Sequence, residues 1–257
     1  DNKAFNSSET LSNDNPDYIK ECERLLAVAL YNCFVSASSY VPEWGILTGV
    51  RPAKLFSRLC SADGACAAEE WFKKGLMVSE NKISLCRETV ESEGRITALS
   101  APDSYSLYIS IPFCPTRCTY CSFVSHSVEQ AKNLIPDYIR LLKEELRLTA
   151  EIAKKLKLRL ETVYIGGGTP TALTAAQLEE IMTEVKNDFD ISALREYTVE
   201  AGRPDTVTAE KLDTIKKLGA TRISINPQTM NDEVLKGIGR RHTAEDTERA
   251  FLLARER

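Results

Sequence analysis

From Ser104 onward, the chain alternates short apolar segments typical of buried strands with longer segments of helical spacing. The predicted strands are Leu107–Ile111, Thr162–Ile165, Glu196–Glu200 and Thr221–Ile225. Helices are predicted to begin at Pro136, Thr174, Thr208 and Thr243. Four β–α units in series imply a parallel sheet with right-handed crossovers. Since four strands cannot close an eight-stranded barrel, the sequence predicts an α/β fold that forms part of an open, curved barrel.

Residues 1–100 show no such alternation and are predicted to form a smaller, mainly helical region. Asp17–Phe34 has helical apolar spacing, and a short helix is predicted around Leu55. The segment Gly94–Asp103 reads as a linker. We therefore predict a mainly helical N-terminal region over residues 1–100 and the N-terminal part of the barrel over residues 101–257.

Charge and apolar patterning exclude several kinds of partner. The net charge is −4, so no basic character indicates nucleic acid as the main partner. No apolar run reaches the roughly 18 residues that a membrane span needs. Eight cysteines would suggest disulfides in a small secreted domain, but in a chain of this size, three of whose cysteines form the motif described below, they favour a reducing cytoplasm. The chain begins without a methionine and stops at Arg257 inside a helical pattern, so we expect a fragment of a longer protein.

Three cysteines follow the first predicted strand in a spacing that suits an iron–sulfur cluster. Cys114, Cys118 and Cys121 form a C-x3-C-x2-C pattern. Thiolates this close can bind three irons of one [4Fe–4S] cube, and the missing fourth protein ligand leaves one iron open to another molecule. Two alternatives stay open: a zinc site, which normally has four protein ligands, and a disulfide, which would leave one thiol over. The other five cysteines stand singly and are predicted to be small buried apolar residues.

The remaining predicted strands also end in residues suited to ligand binding, and the chemistry of parallel sheets collects at these carboxyl ends. Strand two runs into Gly166–Thr171, where three glycines let a ligand approach the backbone. Strand three ends in Glu200, strand four is followed by Asn226–Gln228, and Arg240 could reach the carboxylate of a bound amino acid. Taken singly, the glycines also fit a tight turn, and Glu200 and Arg240 also fit solvated chain ends.

The stretch from Leu107 to Arg240 resembles the oxygen-independent coproporphyrinogen III oxidase family of radical S-adenosylmethionine proteins. The segments that carry the resemblance are Tyr108–Cys114, Cys118–Cys121, Tyr164–Thr171, Val199–Glu200 and Ile225–Gln228. Trp44–Pro52 and Ser224–Met230 are similar to the HemZ-type coproporphyrinogen dehydrogenases of that family. The resemblance implies a truncated (β/α)6 TIM-like barrel. Trp44–Pro52 either packs under that barrel or faces a partner.

The resemblance also implies a [4Fe–4S] cluster bound by the three cysteines, with S-adenosylmethionine on the open iron. The residues that it assigns to S-adenosylmethionine or to the flanks of the cluster are Tyr108, Tyr120, Gly167, Gly168, Thr169, Glu200, Gln228 and Arg240. Tyr108 also fits strand packing, and the two roles are compatible. No catalytic side chain is assigned, and His126 is interpreted as a loop residue.

The implied reaction is the oxygen-independent decarboxylation of two propionates of coproporphyrinogen III, a tetrapyrrole, to the vinyl groups of protoporphyrinogen IX. It would use a 5′-deoxyadenosyl radical and an electron donor such as flavodoxin or ferredoxin. The oxidases proper carry a fourth cysteine two residues after the third, where this chain has Phe123. Heme-handling relatives also show an aromatic residue there. A heme-binding chaperone, and a radical enzyme with another substrate, therefore remain alternatives.

Overall fold

The computed structural model describes residues 4–11, 17–123 and 125–257. Its contacts divide the chain into two compact units, with the boundary between Ser100 and Ala101. The first unit contains the helices α1 (Tyr18–Ser38), α2 (Pro52–Asp63), α3 (Ala65–Glu70) and α4 (Glu80–Thr97), and a π-helical turn over Trp71–Gly75. No helix in the described ranges is long and apolar enough to cross a membrane.

The first unit has its own small apolar core. Phe56 and Phe72 meet edge to face, with ring centroids 5.1 Å apart. Trp44 and Leu47 pack, partly buried, against the same cluster of side chains. The Trp44–Pro52 segment thus contributes two side chains to the core of its own unit, while Val50 is 94% exposed.

The second unit is built on a four-stranded sheet in which every neighbouring pair is parallel. Its strands, in spatial order, are β1 (Ser104–Ile111), β4 (Arg159–Gly167), β5 (Glu196–Glu200) and β6 (Arg222–Ser224). Two short strands, β2 (Phe113–Cys114) and β3 (His126–Ser127), pair with each other outside this sheet. His126, interpreted as a loop residue, therefore lies in a short strand.

The α-helices that accompany these strands in the described ranges are α5 (Val128–Ala131), α6 (Ile135–Lys155), α7 (Ala175–Asp188), α8 (Ala209–Lys217), α9 (Asp232–Gly237) and α10 (Ala244–Arg255). The predicted caps are present, because Thr174, Thr208 and Thr243 each accept a hydrogen bond from the backbone N–H three residues later. The short helix α9 was not predicted, although Asn231 caps it in the same way.

The sheet and helices bury one continuous core. Helix α6 contributes the apolar stripe Ile135, Ile139, Leu142 and Leu146. The strand ends Ile111 and Gly167 are register partners, as are Glu200 and Ser224. Because the strands are parallel, their carboxyl ends meet at one edge of the sheet. The predicted α/β fold class with a parallel sheet is confirmed.

Candidate functional site

A cleft at the carboxyl edge of the sheet gathers almost every residue that the sequence singled out. Its predicted members are Cys114, Cys118, Tyr120, Cys121, Gly167, Gly168, Thr169, Glu200, Gln228 and Arg240. Further lining residues are Thr116, Phe123, Ser125, Gly202, Arg203 and Asn226. Tyr108 does not line the cleft, and its side chain is 58% exposed on β1. Residues from all four strand ends therefore share one cavity.

The cysteine loop is tied to the segment that follows α9. The N–H of Thr119 donates to the carbonyl of Ile238 at 3.1 Å, and the Thr116 hydroxyl donates to the carbonyl of Gly239 at 2.8 Å. Gly239 has a φ of +80°, and a Cβ there would lie 2.9 Å from the carbonyl oxygen of Arg117. A glycine is thus required for this close approach.

The three cysteines of the motif are free thiols, and each is partly exposed. Among the described residues, no three His, Cys, Asp or Glu side chains form a group that could hold a single metal ion. In a cube each thiolate binds a different iron, so cluster ligands need not converge on one point.

The glycine loop lies directly against Cys114. A Cβ on Gly168 would come within 2.8 Å of the Phe113 carbonyl oxygen and 3.0 Å of the Cys114 sulfur. The hydroxyl of Thr169, itself buried, lies 3.4 Å from the same sulfur. The backbone N–H groups of Gly168 and Thr169 already donate to β1 and β2 carbonyls at 2.8 Å. The loop is therefore held rigidly beside the first cysteine.

Tyr108 contributes to the site through a neighbour. Its ring stacks on that of Tyr164, with centroids 5.7 Å apart and planes 13° from parallel. The Tyr164 hydroxyl donates a 2.5 Å hydrogen bond to a carboxylate oxygen of Glu200. This bond, followed by burial, raises the pKa of Tyr164 to about 12. Glu200 is thereby held at the strand end by a neutral donor.

Arg240, which follows α9, and Gln228, which follows β6, also line the cleft. Arg240 is 9% exposed, and its Nη1 donates to the carbonyls of Gly202 at 3.0 Å and Asn226 at 3.3 Å. Its Nε is buried and has no hydrogen-bond partner among the described residues. Gln228 adopts a φ of +65°, a conformation that costs energy for a residue with a side chain and is common at ligand sites. Both residues have capacity left for a ligand.

Arg203 is a site residue that the sequence analysis missed. It is 2% exposed and donates from Nη2 to the Thr116 hydroxyl at 2.9 Å, and from Nη1 toward the Cys118 sulfur at 3.7 Å. The signal available in the sequence was its place three residues after Glu200, at a strand end. An arginine in a loop is ordinarily solvated, so nothing in the sequence distinguished this one.

The fold and the site together define an α/β protein with a three-cysteine cleft at the carboxyl ends of its parallel strands. A family model, described as the radical SAM superfamily, matches residues 108–257. This chain belongs to the radical SAM superfamily.

Three known proteins illustrate the similarity. The oxygen-independent coproporphyrinogen-III oxidase-like protein HemZ of Bacillus subtilis is 37% identical over 92% of this chain and 48% of its own length. The heme chaperone HemW of Bacillus subtilis is 40% identical over 59% of this chain and 39% of its own length. The solved structure of coproporphyrinogen III oxidase (HemN) from Escherichia coli aligns at a TM-score of 0.52 with 26% identity, over 64% of this chain and 37% of that protein.

The chain thus spans about half the length, or less, of the curated relatives that it matches. Membership in the superfamily implies a [4Fe–4S] cluster and S-adenosylmethionine as cofactors. The donor set of the cleft fits both groups: three thiols without a fourth, two buried guanidinium groups that offset negative charge, and polar groups with spare hydrogen-bonding capacity.

Proposed function

We propose that this chain is the cofactor-binding part of an oxygen-independent coproporphyrinogen dehydrogenase of heme biosynthesis. The observation that carries the proposal is the shared cleft of the three cysteines, the glycine loop, Glu200, Gln228 and Arg240. The similarity to HemZ over 92% of the chain supports the choice of reaction.

In this proposal, Cys114, Cys118 and Cys121 hold the cluster, and Tyr120 flanks it. Bound cluster and S-adenosylmethionine supply a 5′-deoxyadenosyl radical, which takes hydrogen atoms from substrates. The protein's own task is to bind and orient the cofactors and the substrate, and to exclude water and oxygen.

The other cleft residues divide the groups of S-adenosylmethionine between them. Its ammonium group donates hydrogen bonds, so it would need the oxygens of the loop Gly167–Thr169, since the Gly168 and Thr169 N–H groups are already bonded. Its carboxylate matches the unpaired Nε of Arg240. Glu200, pinned by Tyr164, and Gln228 would hold its polar groups at the strand ends, with Tyr108 stacked behind Tyr164.

Each propionate of the substrate would lose a hydrogen atom, CO2 and one electron to become a vinyl group, with the electron passing to a one-electron acceptor. Flavodoxin or ferredoxin would reduce the cluster, and a cytoplasmic, oxygen-poor setting suits this chemistry. The direct test uses the intact protein, reconstituted without oxygen, with reductant, S-adenosylmethionine and coproporphyrinogen III. Mass spectrometry should find loss of two CO2 units with matching 5′-deoxyadenosine, both absent in Cys118→Ala.

A second candidate is a heme-binding chaperone. Phe123 favours it, because this aromatic side chain is 62% exposed at the cleft, where the oxidases proper carry a cysteine. The similarity to HemW supports the same reading. Heme retained through purification, together with S-adenosylmethionine cleavage that yields no vinyl product, would favour the chaperone and contradict the dehydrogenase. A different compound that stimulates S-adenosylmethionine consumption would instead indicate another substrate.

A further inference from the structure

Arg203 links the end of β5 to the cysteine loop through both of its terminal guanidinium nitrogens. Nη1 lies 3.3 Å from the carbonyl oxygen of Thr116 and 3.7 Å from the sulfur of Cys118. Nη2 donates to the Thr116 hydroxyl at 2.9 Å, and Nε faces a carboxylate oxygen of Asp205 at 3.3 Å. A guanidinium group therefore lies, almost fully buried, against one of the three cysteines.

The turn that carries Arg203 is held in place by the neighbouring strand end. The buried hydroxyls of Thr171 and Thr206 lie 2.6 Å apart. The amine of Lys211 donates to the carbonyls of Thr171 at 2.6 Å and Thr206 at 3.0 Å. These bonds fix the turn after β4 to the turn after β5. The Arg203 guanidinium is therefore pre-positioned and does not depend on a flexible loop.

We propose that Arg203 is a positioning residue that raises the reduction potential of the cluster through Cys118. Reduction adds one negative charge to a cluster, and both a hydrogen bond to a ligand sulfur and a nearby buried cation stabilise that charge. This inference rests on the cluster-binding part of the proposed function and adds to it a control of how readily the protein accepts an electron.

Asp205 acts against Arg203. Its carboxylate contacts Nε, not the Nη1 that faces Cys118, and partly offsets the positive charge, and its side chain is 24% exposed. When this carboxylate is removed, less of the positive charge of Arg203 is neutralised. The cluster potential should then rise, opposite to the effect of removing Arg203.

The test is a redox titration of the reconstituted protein, followed by electron paramagnetic resonance without any porphyrinogen. For Arg203→Gln, we expect the equilibrium constant for cluster reduction to fall about tenfold, which is about 59 mV for one electron. Arg203→Lys keeps the charge but not the planar fork of the guanidinium, so its cluster potential should lie between those of the wild type and Arg203→Gln. Asp205→Asn should shift the potential upward by a smaller amount.

Arg195→Gln is the matched control, because Arg195 bonds Glu161 near the amino end of β4 and lies outside the cleft. It should leave the potential unchanged. A cluster with unchanged potential in Arg203→Gln would overturn the inference and leave the proposed function intact, whereas a wild-type protein that binds no cluster would overturn both. If Arg203→Gln loses the cluster altogether, the sign of the Asp205→Asn shift decides: a rise supports the inference, and no rise overturns it.

Discussion

The two edges of the same sheet both bury charged side chains, but they treat them differently. Near the amino ends, Glu161 is 5% exposed and its Oε1 accepts hydrogen bonds from Ser104 at 2.6 Å and Arg195 at 2.7 Å, with Arg159 at 2.8 Å. At the carboxyl ends, Arg240 is 9% exposed, and its partners are two carbonyl oxygens and the Tyr120 hydroxyl, none of which carries a full negative charge. No carboxylate of a described residue lies within 4.0 Å of its guanidinium.

Within one sheet, the amino edge therefore has a structural role and the carboxyl edge has a functional one. The amino edge neutralises its buried charge completely, so it needs no further molecule. The carboxyl edge keeps an unpaired guanidinium N–H, a strained glutamine and three free thiols. A buried donor without a partner is costly in a protein alone, so the Arg240 Nε, beside free thiols and a strained glutamine, indicates a site completed by ligands.

The largest effect that the comparison predicts concerns the thiols. Cys118→Ala should abolish cluster binding and all S-adenosylmethionine cleavage, because two remaining thiolates cannot hold the cube. Iron and sulfide analysis and 5′-deoxyadenosine formation measure it. Cys66→Ala is the matched control, since Cys66 is exposed in the first unit and should be dispensable. Full cluster content in Cys118→Ala would contradict the ligand assignment.

The second prediction concerns Arg240. Arg240→Gln should weaken S-adenosylmethionine binding by about 10- to 100-fold, because a charge-assisted hydrogen bond contributes about 1.5–3 kcal/mol. The free energy of unfolding of the cofactor-free protein should fall by only about 1–3 kcal/mol, since two hydrogen bonds to carbonyls are lost but no ion pair is broken. Equilibrium binding and chemical denaturation separate the two effects. A large loss of stability with unchanged affinity would place Arg240 among the structural residues.

The third prediction is the converse at the amino edge. Glu161→Gln should destabilise the protein by about 2 kcal/mol, below the range for fully buried pairs because both arginine partners can regain water. The side chains of Arg159 and Arg195 are 43% and 27% exposed. Affinity for S-adenosylmethionine should not change. Weakened cofactor binding in a folded Glu161→Gln variant would break the distinction between the two edges.

The smallest predicted effect is a pH dependence at the carboxyl edge. Burial lowers the pKa of His242, and its buried Nδ1 has no hydrogen-bond partner among the described residues. The unfolded chain binds a proton near the usual pKa of about 6.5, and the native state resists it. This contribution to stability is therefore present above about pH 6.5 and is lost as the pH falls toward the lowered native value.

Chemical denaturation of the wild type and of His242→Gln at about pH 7.5 and about pH 5.5 measures the difference. The variant should lose less stability over this interval than the wild type. Equal losses would mean that His242 does not resist protonation in the native state.

Much of the fold was predictable because it depends on local signals. Thr174 with Gln177, and Thr243 with Asp246, form complete capping boxes at the predicted helix starts. The extent of β4 was not predictable: Arg159 and Glu161 are charged, and the strand begins at Arg159 because Arg159 and Leu160 pair with Ser104 and Tyr105 of β1. Tertiary pairing overrode local propensity there.

The site likewise contains residues that the sequence predicts and contacts that it does not. Gly168 and the cysteines are recognisable from spacing, because their chemistry depends on sequence neighbours. The contact of Arg203 with Cys118 joins residues 85 positions apart and depends on how two strand ends meet. Likewise, the stacking of Tyr108 on Tyr164 depends on the parallel register of β1 and β4. Neither arrangement leaves a local pattern in the sequence.

Whether the carboxyl edge is completed by a three-cysteine cluster and S-adenosylmethionine is tested most directly by electron paramagnetic resonance of the reduced, cluster-reconstituted protein before and after S-adenosylmethionine is added. Three cysteine ligands leave one iron open, so binding of the cofactor at that iron should change the g values of the reduced cluster. We expect a changed spectrum in the wild type and a weaker or absent change in Arg240→Gln at the same cofactor concentration. A reduced [4Fe–4S] signal that saturating S-adenosylmethionine leaves unaltered would contradict this expectation.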